Sequence, residues 1–264
     1  MSVPVFLNSS FYYFERTGVS DVQTIIDDFE HQVLVHNSPV WTKPSAGLYK
    51  SPVDADGRWY DVLLTRVTQQ KLEMRLRDNA GATLCTRRIN CPSANAWNVH
   101  IYTGSHHMFI DVDVVSSSWE SLMAGILDST PDAAHNKYLY GGGYRTNGDV
   151  NDAYHSCNRM SMFDNTTATL AERMTCYGGT TTSNAALTTQ NGSRVYRPHG
   201  LWCKPVGDAG SFRFAGRRYQ TLLVEWTMTI GSKVTVPIDS HLSGLFRVTS
   251  VPGSYGCAAA MRIA

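Results

Sequence analysis

From Lys71 to Arg77 every second side chain is apolar, and the residues between them are charged. This alternation places the apolar groups on one face of a β-strand, whereas a helix would scatter them around its axis. Residues 78–81 read Asp-Asn-Ala-Gly, which is typical of a tight turn, and residues 82–89 follow as a second strand-like segment. The region predicts an antiparallel hairpin with one face buried and the other in water.

The strand-like pattern continues in both directions along the chain. Residues 59–67 form a candidate strand, and residues 99–102 and 108–115 predict another hairpin that turns near residue 104. Residues 119–127 are predicted as a short helix. The last third contains candidate strands at 211–215, 219–230, 233–238, 245–249 and 258–263. We therefore predict a mainly β protein whose antiparallel strands form a sandwich or barrel-like body.

The first forty residues differ from the rest. Apolar residues recur there at three- and four-residue spacing, which predicts a short helix from Asp21 to Val33. Ser20 followed by Gln23 resembles a capping box at the start of that helix.

The chain divides into four predicted regions. Residues 1–40 form an N-terminal arm and helix, and residues 41–127 form a β-meander. Residues 128–193 are rich in Gly, Asn, Thr and Asp and are predicted as a long loop-rich insertion. Residues 194–264 form a second strand block that packs with the meander as one body.

The charge balance argues against nucleic acid as a partner. Lys and Arg number 23 against 22 Asp and Glu, whereas nucleic-acid binding usually needs a clear basic excess. Charged residues make up 17% of the chain, below the roughly 25% of an average soluble domain. Low charge is also typical of the cores of protein–protein interfaces.

The sequence shows no targeting signal. The N-terminus lacks the basic and apolar regions of a secretory signal, and no apolar run is long enough for a membrane span. We therefore expect synthesis in a cytoplasm, where the six cysteines are reduced and buried rather than joined in disulfides.

No motif for catalysis or for a cofactor is found. The sequence has no Gly-x-Ser-x-Gly elbow, and the glycines at 141–143 are not followed by the Lys-Ser/Thr of a phosphate loop. We therefore expect a protein that is not an enzyme and has no cofactor. Two carboxylates that converge only in the fold are invisible in a sequence, which leaves a polysaccharide or cell-wall hydrolase as an alternative.

His107, Asp111 and Asp113 form the one candidate metal site, because they fall on one face of a predicted strand. Imidazole and carboxylate groups ligate zinc and other divalent ions. Their spacing matches no known ligand motif, however. The other interpretation is that these residues form the solvent-facing side of a strand whose opposite side is apolar.

Four consecutive aromatic residues, Phe11, Tyr12, Tyr13 and Phe14, are the candidate assembly interface. Two roles remain open, since aromatic residues dominate both cores and interfaces. They either pack the N-terminal helix onto the body, which we favour, or anchor the chain on a neighbouring subunit. Six tryptophans spread along the chain offer another alternative, which is sugar stacking in a glycan-binding β-sandwich.

Three segments carry a resemblance to a protein class: residues 57–66, the turn at 78–81 and the terminal residues 251–257. In these segments, and in being strand-rich, weakly charged and rich in Thr and Asn, the chain resembles structural proteins of tailed-bacteriophage virions. The resemblance implies a tail, baseplate or neck component that is made in the host cytoplasm and assembles into a virion. It implies binding to copies of itself and to other virion proteins; a receptor-binding module for host surface glycans is the alternative.

Overall fold

The computed structural model describes residues 10–36, 41–54, 57–78, 80–91, 96–115, 118–127, 138–143, 160–164, 170–171, 188–190, 193–203, 213–225, 228–237, 243–254 and 257–264. In chain order the elements are β1 (Phe11–Val19), α1 (Val22–His31) followed by a π-helical turn (Gln32–His36), β2 (Thr42–Ser45), β3 (Leu48–Lys50), β4 (Asp61–Thr68), β5 (Lys71–Arg77), β6 (Thr83–Asn90), β7 (Trp97–Gly104), β8 (His107–Val115), β9 (Ser118–Ile126), β10 (Tyr138–Gly142), β11 (Met160–Asp164), β12 (Leu170–Ala171), β13 (Thr188–Gln190), β14 (Ser193–Cys203), β15 (Arg213–Glu225), β16 (Lys233–Pro237), β17 (Ser243–Ser254) and β18 (Cys257–Arg262).

The described strands form three antiparallel sheets. Five strands lie in the order β2-β3-β4-β5-β6, seven in the order β1-β7-β8-β9-β10-β11-β12, and six in the order β13-β14-β15-β18-β17-β16. The predicted mainly β, antiparallel fold class is confirmed.

The predicted hairpin around residues 78–81 is confirmed. β5 has the predicted bounds and pairs with β6 through the register Leu72↔Ile89 and Leu76↔Cys85. The turn is closed by Asp78, whose Oδ1 accepts hydrogen bonds from the backbone N–H groups of Ala80 and Ala82.

The main hydrophobic core lies between the five-stranded sheet, the seven-stranded sheet and α1. Each element contributes the apolar face that its sequence period defines: Leu72, Met74 and Leu76 from β5, Ile110 and Val112 from β8, and Ile25 and Phe29 from α1. A second cluster lies on the six-stranded sheet around Phe246 and Val248.

The predicted helix is confirmed, with two differences at its ends. Asp21 and not Ser20 is the N-cap, and its side chain accepts a hydrogen bond from the backbone N–H of Gln23 at 2.8 Å. The α-helix ends at His31 and continues as a π-helical turn to His36.

The predicted helix at 119–127 is wrong, because this segment is strand β9. It pairs with β8 on one side and β10 on the other, as in Ile110↔Leu122 and Leu139↔Ile126. Leu122, Ala124 and Ile126 face the main core at a spacing of two. Backbone pairing on both sides outweighs the weak helix preference of a short apolar segment.

The sheets cross the predicted regional boundaries. Region 41–127 contributes to two sheets, and β1 from region 1–40 joins the seven-stranded one. Most of the predicted loop-rich insertion at 128–193 lies outside the described residues, although β10 to β13 fall within it.

Two further expectations concern the cysteines and the membrane. Cys85 and Cys91 are buried and are not joined in a disulfide, as expected for reduced thiols. Within the described ranges, no helix combines the length and the apolar character that a bilayer crossing requires.

Candidate functional site

The seven-stranded sheet is buried on both faces at its centre. On β8, Met108, Ile110 and Val112 face the main core, while His107 and Asp111 on the opposite face are also buried. The interpretation of that second face as solvent-facing is therefore wrong. The six-stranded sheet covers it, because Arg247 on β17 reaches across to Asp111.

Arg247 is the centre of a buried polar cluster between the two sheets. Its Nη1 donates to Asp111 Oδ2 at 3.1 Å and to Tyr102 Oη at 3.1 Å. Its guanidinium carbon lies 5.2 Å from the ring centroid of Trp119, at a distance typical of a cation–π contact. β7, β8, β9 and β17 each position one member of the cluster.

A second part of the cluster lies on β1 and β7. The ring of Tyr13 stacks on that of His100, with centroids 6.2 Å apart and planes at 6°. Tyr13 Oη donates its hydrogen to Glu15 Oε2 and lies 2.9 Å from His100 Nδ1. Because a hydroxyl has one hydrogen, we assign the Nδ1–H tautomer to His100, which then donates to Tyr13.

The electrostatics of the cluster favour neutral histidine beside a charged pair. Burial, followed by the positive charges of Arg247 and Lys233, lowers the pKa of His100 to about 3. Burial also works to lower the pKa of Arg247, but Tyr102 and Asp111 outweigh it and leave that pKa raised. Burial and the bond to Glu15 raise the pKa of Tyr13. At neutral pH these pKa shifts keep His100 neutral, Arg247 charged and Tyr13 protonated, so the cluster suits a structural role better than proton transfer.

The three candidate metal ligands lie on one face of β8 but do not converge. His107 and Asp111 are four positions apart, so their Cα atoms lie about 13 Å apart along an extended strand. Asp111 already binds Arg247. Among the residues that the structure describes, no group of three or more His, Cys, Asp or Glu side chains is arranged to hold a metal ion.

The four candidate assembly residues alternate between the two faces of β1. Phe14 packs against the main core, and Tyr13 belongs to the polar cluster. Phe11 lies under Arg262, whose guanidinium carbon is 4.5 Å from its ring centroid, and Tyr12 contacts the ring of His36. The four side chains are half-buried, so they have internal contacts and also reach the surface.

Two of the six tryptophans lie in the core. Trp41 and Trp97 are fully buried, and Trp41 Nε1 donates to the carbonyl of Gly104 at 3.1 Å. Neither offers a sugar-stacking platform. Trp59 and Trp119 are partly exposed, and the side chains of Trp202 and Trp226 lie outside the described residues.

The buried polar cluster was not predicted from the sequence. Arg247 on β17 lies more than a hundred positions from His100 and Tyr102 on β7, and no spacing links the two strands. The one available signal was that β7 and β17 each carry polar residues among their apolar ones.

The fold and its buried core define the class of protein. It is an antiparallel, three-sheet β protein with a buried polar cluster between two sheets. No protein-family model matches the sequence, and no curated protein is significantly similar to it.

Proposed function

We propose that this chain is a structural component of a tailed-bacteriophage virion, in the tail, baseplate or neck, and acts by protein–protein assembly and not by catalysis. Its partners are copies of itself and other virion proteins. The observation that supports assembly most directly is the edge of the seven-stranded sheet at β1. An edge strand presents unpaired backbone N–H and C=O groups, to which another chain can add a strand.

β1 is a long strand with a regular first part. Among the described strands it pairs with β7 alone, and the register is continuous from Phe11↔Gly104 to Arg16↔Val99. We call residues Phe11–Arg16 the β1 edge. It has neither proline nor lysine, and its two charged residues lie at its end, where Glu15 binds Tyr13 and Arg16 pairs with Asp28. The register shifts only beyond it, where Gly18 has a φ of +73°.

The other described edge strands carry protective features. β12 and β13 have two and three residues. β2 contains Lys43 and Pro44, while β16 begins at Lys233 and ends at Pro237. β6 contacts β9 and β10 of the neighbouring sheet. Short strands, lysine and proline discourage pairing between chains, so the contrast favours the β1 edge as the docking strand.

The direct test introduces a charge at this edge. Tyr12 is half-buried and outside the main core, so Tyr12→Lys should keep the fold while its charge opposes a neighbouring strand. Self-association of the full chain, measured by analytical ultracentrifugation, is expected to weaken at least tenfold. Thr42→Lys, at an exposed position on β2, is the matched control and should associate as the unchanged chain does.

Truncation of residues 1–19 is a poor test of assembly, because it would also destabilise the fold. It would remove Val19 and Phe14 from the core, together with the ion pair between Arg16 and Asp28.

Mass spectrometry of purified tailed particles supplies the second measurement, with several copies per particle expected. A chain that stays monomeric at all concentrations and is absent from particles would contradict the proposal.

A further inference from the structure

The end of α1 brings two histidines together at the surface. His31 is the last residue of α1 and His36 the last of the π-helical turn, and their ring centroids lie 4.9 Å apart with planes at 70°. In a regular α-helix, side chains five residues apart point about 140° apart around the axis, so they do not meet. The wider π turn is what allows this contact, and such turns are frequent at functional sites.

The surroundings of the two imidazoles favour a cation. Both histidines are exposed, so an ion can reach them from solvent. They lie at the C-terminal end of the helical segment, where unsatisfied carbonyl groups carry partial negative charge. The carboxylate of the neighbouring Glu30 is held by Lys43 and Tyr49, and the ring of Tyr12 lies 6.4 Å from that of His36.

We propose that His31 and His36 bind one divalent transition-metal ion, such as Zn²⁺, through one ring nitrogen each. With metal–nitrogen bonds of about 2.0–2.1 Å and a tetrahedral angle, two imidazoles on one ion have ring centroids about 5 Å apart. The observed separation of 4.9 Å is close to that value, so the two rings already lie at the spacing that one shared ion requires. Water completes the coordination, since no third ligating side chain joins the pair within the described residues. The site is independent of the proposed virion function.

The test is a Zn²⁺ titration of the full, untagged chain by isothermal calorimetry at pH 7.5. His31→Ala and His36→Ala are each expected to weaken the tightest binding event at least tenfold, and the double variant to abolish it. Val35→Ala changes an exposed neighbour and leaves both imidazoles, so it should bind as the unchanged chain does.

A second measurement separates this site from the other seven histidines of the chain. Zn²⁺ bound to the folded state should raise the melting temperature of the unchanged chain, and the double variant should lose that increase. Unchanged isotherms in both single variants would overturn the proposal, and so would a loss in only one of them.

Discussion

Arg247 shows how much a single residue can contribute to joining two layers of strands. It is 3% exposed and touches three residues of the neighbouring sheet, of which Asp111 carries the opposite charge. A buried ion pair gives little net stability compared with apolar residues of the same size, but removing one partner leaves a buried charge without compensation. The effect of substituting Arg247 should therefore depend mainly on whether the charge of Asp111 is left without its partner.

Arg247→Met is expected to lower the free energy of unfolding by about 3–5 kcal/mol, because it leaves the Asp111 carboxylate buried without its cation. Urea denaturation measures the change. The double variant Arg247→Met with Asp111→Leu removes both charges and should recover most of the loss. If the two variants are equally unstable, packing and not charge explains the effect of Arg247.

At the scale of elements, α1 illustrates which parts of a helix a sequence specifies. Its position and apolar face followed from spacing alone, but the N-cap and the π-helical turn at its end did not. Asp21 takes that position because its carboxylate binds the helix N–H of Gln23 and also pairs with Arg66 of β4 at 2.9 Å. The pairing with Arg66 lowers the pKa of Asp21 more than any other contact does.

Asp21→Ala is expected to destabilise the protein by about 1 kcal/mol, the usual cost of losing an N-cap. Ser20→Ala is the matched control, since Ser20 is the exposed neighbour that the sequence predicted as the cap, and it should change the stability by less than about 0.5 kcal/mol. Chemical denaturation of both variants measures the difference. Equal losses would mean that Ser20 shares the capping role.

β9, by contrast, is an element whose type the sequence analysis predicted wrongly. Its period of two is visible in hindsight through Leu122, Ala124 and Ile126. A short apolar segment satisfies helical and strand patterns almost equally well. Hydrogen bonding to β8 on one side and to β10 on the other makes this segment a strand.

For the whole molecule, the seven-stranded sheet is the central layer, with a mainly apolar interface on one face and the polar cluster around Arg247 on the other. The mainly apolar interface also holds a buried ion pair between Arg87 and Glu120, at 4.0 Å. The polar cluster contains His100, and its protonation would bury a second positive charge near that of Arg247. Its protonation therefore opposes the pairing of two sheets.

The stability of the whole fold is expected to fall as the pH decreases from about 6.5 to about 3. The folded-state pKa of His100 is lowered to about 3, so the unfolded chain binds a proton in this range that the folded chain does not. The stabilising contribution is complete above pH 6.5. Urea denaturation at several pH values should show that His100→Gln reduces the slope between pH 4 and 6 by up to about 1 kcal/mol per pH unit.

His31→Gln, at an exposed position, is the control and should leave that slope unchanged. A slope that is the same in His100→Gln and in the unchanged chain would show that the pKa of His100 is not displaced by burial.

The sequence by itself determined the local elements: β5, its hairpin with β6, the helix and the strand-rich end of the chain. Each depends on neighbours a few residues apart, whose period and turn residues are written in the chain. Only the tertiary structure decided which strands share a sheet, that β8 is buried on both faces, and that Arg247 meets Asp111. Arg247 and Asp111 are more than a hundred positions apart, and the free energy of such contacts depends on packing and desolvation that no local pattern encodes.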